Sequence, residues 1–494
     1  MLDKKKQIKN SFLYFLPLIV NSVFPLIALP IFTRVLTRDD YGVLALAEVY
    51  AAFASGLAHF GLINVFDRNY FHYRSDKQKS AELLYSILCF VAANFLILGI
   101  LTCLFKTSLS HWVIGPGEHG SILFWCFCAA FFNDANYYFI TSFKNEEDAK
   151  KAVGFTIAGS LLNLTLAIIL VVFVHSGVIG LVYAQLLAAS FIFILLFNHF
   201  RKISPFSFNR NILFDSLKLS YPLTPTVLLG VFSKNFDKYM IGLLASVGGV
   251  GLYSIAQKFA SLVFEITTAL QAVFSPHVYK RMFDPQTGGG EEIGKYLTPF
   301  VYLTVFATLV LSLFSEEIIS LLTPKSYHQA SYVVTILAIY YSLQFFGKIN
   351  PMQLFFTKKT YIAMLFSTFT IGLNIAFNIP FIKKWGPVGA ASATLLSALI
   401  ATFFYATVAQ RYYKIKWEYR KLAIIYNGLF IASFTSLLLM FVGIGYPSRF
   451  TVKLIFVLAY MLFGVHIGVL SKENLSTIKN IYLDKLILLK ASRS

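Results

Sequence analysis

Long, nearly uncharged runs of Leu, Ile, Phe, Val and Ala recur along this chain, with the lysines and arginines gathered in the gaps between them. A hydrocarbon core of about 30 Å takes about 20 helical residues to cross. On that measure the pattern predicts fourteen spans, at 10–32, 41–64, 83–105, 121–142, 153–174, 177–198, 218–243, 250–274, 295–315, 329–351, 361–382, 386–408, 421–441 and 451–470. Each is expected to be a helix, because in lipid every backbone N–H and C=O must find a partner within the protein. A closed barrel would instead show short alternating segments. Composition agrees: with mean hydropathy +0.68 and 13% charged residues, a soluble chain of 494 residues would have little surface to show to water. The expected fold class is an all-α polytopic membrane protein.

Charge supplies the orientation. With the N-terminus in the cytoplasm and the adjoining parts of the spans counted with each loop, 31 of the 42 Lys and Arg fall on inner segments and 10 on outer loops, and Lys258, inside a span, completes the count. That bias is what the positive-inside rule requires, with both termini cytoplasmic. The net charge of +19 is then mainly topological, and no nucleic-acid partner is expected. The run after Lys4, Lys5 and Lys6 is too long for a cleaved signal and reads as the first span. All four cysteines, Cys89, Cys103, Cys126 and Cys128, lie in spans, which argues against disulfides and zinc ligation. After Ser471, Ile478, Ile481, Tyr482 and Leu486 among lysines suggest an amphipathic inner-surface helix, with a frayed tail as the alternative.

No gap exceeds about twenty residues, so there is no room for an extramembrane catalytic domain, and an enzyme is not expected. Asp39 and Asp40 are paired carboxylates in a loop of only about eight residues. They stand where the second span begins and are read as capping its free N–H groups. Gly288, Gly289 and Gly290 are not followed by Lys-Ser or Lys-Thr, so no phosphate-binding loop is indicated.

The chain also repeats weakly. A shift of 209 residues lays Asp39 to Glu48 onto Gly248 to Gln257, pairing Gly42 with Gly251, Ala47 with Ala256 and Glu48 with Gln257. Spans 1 and 7 both begin inside, so the halves would be parallel repeats about an axis along the membrane normal. Pro17, Pro25 and Pro30 break up the first span, and Pro222 and Pro225 the seventh, its counterpart. The expected organisation is an N-terminal lobe at 1–210, a C-terminal lobe at 211–415, two further helices at 416–470 and a cytoplasmic tail at 471–494.

Leu29-Pro30-Ile31-Phe32-Thr33-Arg34-Val35-Leu36-Thr37-Arg38-Asp39-Asp40-Tyr41-Gly42 resembles the N-terminal pattern of polysaccharide-biosynthesis flippases of the multidrug/oligosaccharidyl-lipid/polysaccharide exporter superfamily. Asp237-Lys238-Tyr239-Met240-Ile241 through Gly251-Leu252-Tyr253-Ser254-Ile255-Ala256 resembles that family's start of the C-terminal lobe. The resemblance implies two six-helix bundles plus two helices in the bacterial cytoplasmic membrane. It also implies a substrate, an oligosaccharide on undecaprenyl diphosphate moved to the outer leaflet for O-antigen, capsule or a related surface polymer. A polysaccharide polymerase and glycosyltransferases would be the partners. A drug exporter of the same superfamily and a peptidoglycan-precursor flippase are the nearest alternatives; a membrane polymerase or ligase is the different class.

Ionisable groups inside a bilayer cost at least about 2.5 kcal/mol each on insertion scales and are functional candidates by default. They are Lys234, Asp237 and Lys238 in the seventh span, Lys258 and Glu265 in the eighth, Glu48 and His59 in the second, and Asp134 in the fourth. Lys258 and Glu265 are seven apart, and Glu48 and His59 eleven apart, so each pair shares a helix face. Arg34, Lys234 and Lys258 are read as attracting a diphosphate, and Glu48, Asp134 or Glu265 as binding a coupling proton or sodium ion. His59, Asp237 and Lys238 would support them. The alternatives are a neutralising pair for Lys234 and Asp237, snorkelling for Arg34, and locally satisfied polar sites for His59 and Asp134. No cofactor or metal is expected beyond such an ion gradient.

Overall fold

The computed structural model describes residues 15–284 and 289–469. Among them the regular structure is helical, and the described part of each predicted stretch falls mainly on helix. The first elements are α1 (Phe15–Val35), α2 (Arg38–His59), α3 (Leu62–Tyr73), α4 (Lys77–Leu104), α5 (Lys106–Val113) and α6 (Gly120–Asn145). Then come α7 (Ala149–Ile168), α8 (Gly177–Ile203), α9 (Arg210–Ser220), α10 (Thr224–Leu244) and α11 (Val247–Phe283). The chain continues with α12 (Gly289–Leu313), α13 (Ser315–Leu322), α14 (Ala330–Phe356), α15 (Thr360–Tyr412), α16 (Tyr419–Phe441) and α17 (Tyr446–His466). Ten of these are long and apolar enough to cross a bilayer. The helices α6 and α10 coincide with predicted spans but fall outside that set, because Asn133, Asp134 and Asn136, and Lys234, Asn235, Asp237 and Lys238, interrupt their apolar runs. The amphipathic segment expected after Ser471 lies outside the described residues.

Local sequence sets where helices begin and bend. Thr37 is the N-cap of α2, its Oγ1 accepting from Asp40 N at 3.2 Å while the Asp40 carboxylate accepts from Thr37 N at 2.9 Å. This capping box gives Asp40 the terminal role expected for the pair, with Thr37 as the cap itself. Pro222 falls in a one-turn 3-10 segment, Tyr221–Leu223, and Pro225 opens α10, so the predicted 218–243 span is divided where its prolines stand. Gly386 has φ 55° and ψ −131°, a conformation close to glycine-only territory, and it bends α15 into two arms that match the predicted spans 361–382 and 386–408.

The chain forms two compact units, whose described parts are residues 15–254 for the first and 255–284 with 289–469 for the second, with the division inside α11. In the first unit α6 packs on α2 and α8, α7 on α8, and α10 along α2. Its core runs through Phe66, Phe95, Phe127, Tyr138, Phe139, Phe143, Leu196 and Phe200. Lipid supplies little hydrophobic drive between helices, so interlocking aromatic rings and close backbone approach carry the association. Both appear here: Phe143 and Phe200 are 4.8 Å apart, and the start of α2 meets the start of α11 through glycine. A methyl group on Gly42 would collide with the Val247 carbonyl, and one on Gly251 with the Arg38 carbonyl. Residues 38 and 42 shifted by 209 are residues 247 and 251, so the crossing is reciprocal and has the two-fold character of the sequence repeat.

In the second unit α12 packs on α14 and α16, and the arms of α15 pack on α14. The core gathers Phe274, Leu297, Val301, Leu309, Phe345, Ile349 and Leu429. Tyr302 stacks on Tyr460 at 5.1 Å and donates to its carbonyl at 3.0 Å, which ties α17 to α12.

Candidate functional site

The predicted second span does not run to its expected end. α2 stops at His59; Phe60 and Gly61 take left-handed conformations, with φ 46° and 70°, and α3 begins at Leu62. A broken helix within a membrane bundle must satisfy the carbonyls it frees. Asn94 of α4 does this for Ala58, donating Nδ2 to its oxygen at 2.9 Å. His59 is thus the last residue of a helix, where the carbonyl end favours positive charge.

The imidazole of His59 is 3% exposed, and its Nε2 lies 3.0 Å from Asp134 Oδ2, off the line of a straight hydrogen bond. Its Nδ1 shares a 2.8 Å hydrogen bond with the Tyr138 hydroxyl, and Phe95 meets the ring edge-on. Ser55 Oγ donates to the same Asp134 oxygen. Asp134 is 24% exposed, so the cluster is sealed at the histidine and open at the carboxylate. Asp134 and Tyr138 are one turn apart on α6, which is why a single helix supplies both partners.

The next face of α6 lines a cavity of about 370 Å³ in the first unit. Asn133, Asn136, Tyr137 and Lys144 of α6 face Thr156, Ser160 and Asn163 of α7, and Gln185 of α8 closes it. Asn136 is 6% exposed and donates Nδ2 to Ala189 O at 2.9 Å; its Oδ1, like that of Asn163, is buried without a partner. Nearby, α3 joins the end of α6 through Asn145 Nδ2 to Asp67 at 2.9 Å and the Tyr70 hydroxyl to Glu146 at 3.1 Å. Burial, then the Glu146 charge and hydrogen bond, push the Tyr70 hydroxyl well above its ordinary pKa.

Among the other expected site residues of the first unit, Arg34, Glu48 and Lys234 are exposed. Glu48 and His59 share a helical face by spacing but differ in burial, Glu48 being exposed and His59 buried. Lys238 is half-buried, and Asp237 accepts a hydrogen bond from the Tyr253 hydroxyl at 2.8 Å. In the second unit Lys258 is exposed and Glu265 half-buried. Sequence reasoning missed Lys348 of α14, whose Nζ donates to Thr268 Oγ1 at 3.0 Å and sits 4.7 Å over the Phe264 ring. Its position near the end of a predicted span concealed it. Also missed was an ion cluster joining α17 to α13. Lys453, 1% exposed, contacts Glu316 at 3.0 Å and Glu317 at 2.8 Å, and Arg449 contacts Glu316 at 3.0 Å.

A family profile described as polysaccharide biosynthesis protein matches residues 31–333. The probable low-salt glycan biosynthesis flippase Agl15 of Haloferax volcanii is 25% identical over 227 residues, 44% of this chain and 48% of that protein. The chain therefore spans about half the length of the curated relative it matches. Among solved structures, the lipid II flippase MurJ in an inward closed conformation has TM-score 0.66 at 16% identity, over 93% of this chain and 99% of its own. An inward-facing multidrug resistance MATE family transporter of the MOP superfamily has TM-score 0.61 at 17% identity, over 81% and 97%. At these identities the structures define the fold, a polytopic helical membrane protein of the MurJ and MATE type. The profile takes in more than half of the sequence, including α2, α6 and the cavity helices, and on that match the chain belongs to the family of polysaccharide biosynthesis proteins.

Proposed function

We propose that this protein is a flippase that carries oligosaccharides linked to undecaprenyl diphosphate from the inner to the outer leaflet of the bacterial cytoplasmic membrane. It works by alternating access, driven by a proton gradient, and feeds a surface-polymer polymerase downstream of the glycosyltransferases that build the unit. Family membership and the likeness to a probable glycan biosynthesis flippase of Haloferax volcanii support a glycan substrate. The observation that carries the mechanism is the His59–Asp134 pair, held at a helix break inside the membrane bundle. Imidazole is the side-chain type that ordinarily changes charge between pH 5 and 8. A proton arriving at the more accessible Asp134 can be shared with His59, and gaining or losing it changes the attraction between α2 and α6. A change in charge at such a contact biases a two-state element, which is what coupling requires.

The substrate divides into three chemistries. Its tail stays in lipid, its sugars need a polar path, and its diphosphate needs cations. We assign Arg34 and Lys234 of the first unit to the diphosphate, with Glu48 of the same unit as a further acidic group available to a coupling ion. Deleting the gene should cause a lipid-linked glycan to accumulate with its sugar facing the cytoplasm. In reconstituted vesicles, flipping by the intact protein should fall when the proton gradient is collapsed, and His59→Asn should abolish that response. Dependence on a sodium gradient alone would move coupling away from this pair, and flipping indifferent to both gradients would make the protein a facilitator.

A further inference from the structure

We propose that the amide-lined cavity between α6, α7 and α8 binds a sugar residue of the lipid-linked glycan, a reading that rests on the proposed flippase function and places part of its substrate. The volume of about 370 Å³ is at the lower end of small-molecule sites, roughly 300–1,000 Å³, and suits one or two pyranose rings better than an oligosaccharide. Its chemistry is that of a polyhydroxylated, uncharged ligand. Asn163 and Gln185 bring both donor and acceptor atoms, as sugar hydroxyls do, and Asn133 and Asn136, whose Nδ2 groups donate to Ala129 and Ala189, add amide oxygens as acceptors. No carboxylate lines it, which disfavours a cation, and its polar wall disfavours an acyl chain.

Two observations indicate that a ligand is expected there. Asn136 is 94% buried by its 6% exposure and has its Nδ2 committed to Ala189, leaving Oδ1 an unpaired acceptor; Asn163 leaves a second. An unpaired buried acceptor is costly, and a hydroxyl donor from a ligand relieves it. The rings of Tyr137 and Phe155 add flat apolar surface for the C–H face of a pyranose. Lys144 stands at the rim, at the end of α6 that the charge bias places on the cytoplasmic side, and it is exposed. A sugar in the cavity would have its diphosphate near that ammonium and its tail in the adjoining leaflet. The arrangement also explains why α6 is too polar to look like a spanning helix: one face holds the His59 pair and the next lines the cavity.

The test uses the full chain in vesicles, with its four native cysteines replaced by alanine and Asn163→Cys introduced, or Ser160→Cys, one turn earlier, if the first does not fold. Maleimide labelling is followed with two probes, the lipid-linked glycan extracted from cells lacking the gene and bare undecaprenyl diphosphate. The glycan lipid should slow labelling about ten-fold, and the bare carrier should leave it unchanged. Equal protection by both would show that the cavity holds the carrier, and no protection by either would show that no ligand enters; each overturns the proposal. In a separate flipping assay, Asn163→Leu should raise the substrate concentration for half-maximal flipping about ten-fold, the size of one or two lost hydrogen bonds, with the maximal rate retained. An unchanged concentration would also overturn it. If the unmodified protein fails to flip the glycan lipid, the flippase reading falls, while labelling still decides whether the cavity takes sugar.

Discussion

Among the described residues Lys453 is the only Lys or Arg in the fully buried set, and its ammonium contacts two carboxylates from a helix 136 and 137 positions earlier in the chain. Removing one partner from a buried ion cluster leaves the other charge uncompensated, at a cost of about 3–5 kcal/mol. Lys453→Ala should therefore lower the thermal stability of the detergent-solubilised protein substantially, and adding Glu317→Gln should restore part of the loss. By pattern Lys453 reads as an outer-loop charge at the edge of the last span, because nothing local announces a partner so far away. The same holds for His59 and Asp134. Each stands out as an ionisable residue in an apolar run, yet the pairing across 75 positions is a tertiary fact. Asn94, which satisfies the Ala58 carbonyl, is an uncharged amide within an apolar run, and nothing in its neighbours says which carbonyl it serves.

The helices themselves were legible where apolar length alone decides. They were less so where one or two backbone angles intervene. Phe60 and Gly61 end α2 five residues before its apolar run stops, because Leu62 and Ile63 continue the pattern without a breaker strong enough to read. Gly386 is the opposite case: the Lys383-Lys384-Trp385-Gly386-Pro387 stretch marks a boundary in the sequence, and the chain bends there. Its φ of 55° is poorly tolerated by residues with a Cβ. Gly386→Ala should cost about 1–3 kcal/mol, visible as a lower unfolding temperature, whereas alanine at Gly372, which has open space and ordinary helical geometry, should be neutral. The repeat belongs to this scale too. Identity between the segments around Gly42 and Gly251 is slight, but the reciprocal collision of each with the other's helix start shows why both positions are glycine.

For the whole molecule, burial follows packing between helices, and many large apolar side chains remain on the surface, among them Leu104, Trp112, Phe173, Phe403 and Leu462. On a soluble protein such a surface would drive aggregation, and on this fold it is the face for acyl chains. Orientation comes from the charge bias alone. A cysteine placed at Gly117 should react with an impermeant reagent added to intact cells, and one placed at Ser75 only after permeabilisation. The reverse pattern would invert the direction of transport proposed here. The sequence also foretold the polar interruptions of α6 and α10, but not that α6 would present two polar faces with different surroundings, since spacing assigns residues to a face and cannot say what stands opposite.

The acid–base knot between α13 and α17 bears on how the gene can be cut. A chain ended after α16 would keep Glu316 and Glu317 but lose both cations that neutralise them, Arg449 and Lys453, stranding two negative charges. The last described helix, α17, is thus no detachable appendage, and shortened versions that lack it should be degraded before they reach the membrane in useful amounts.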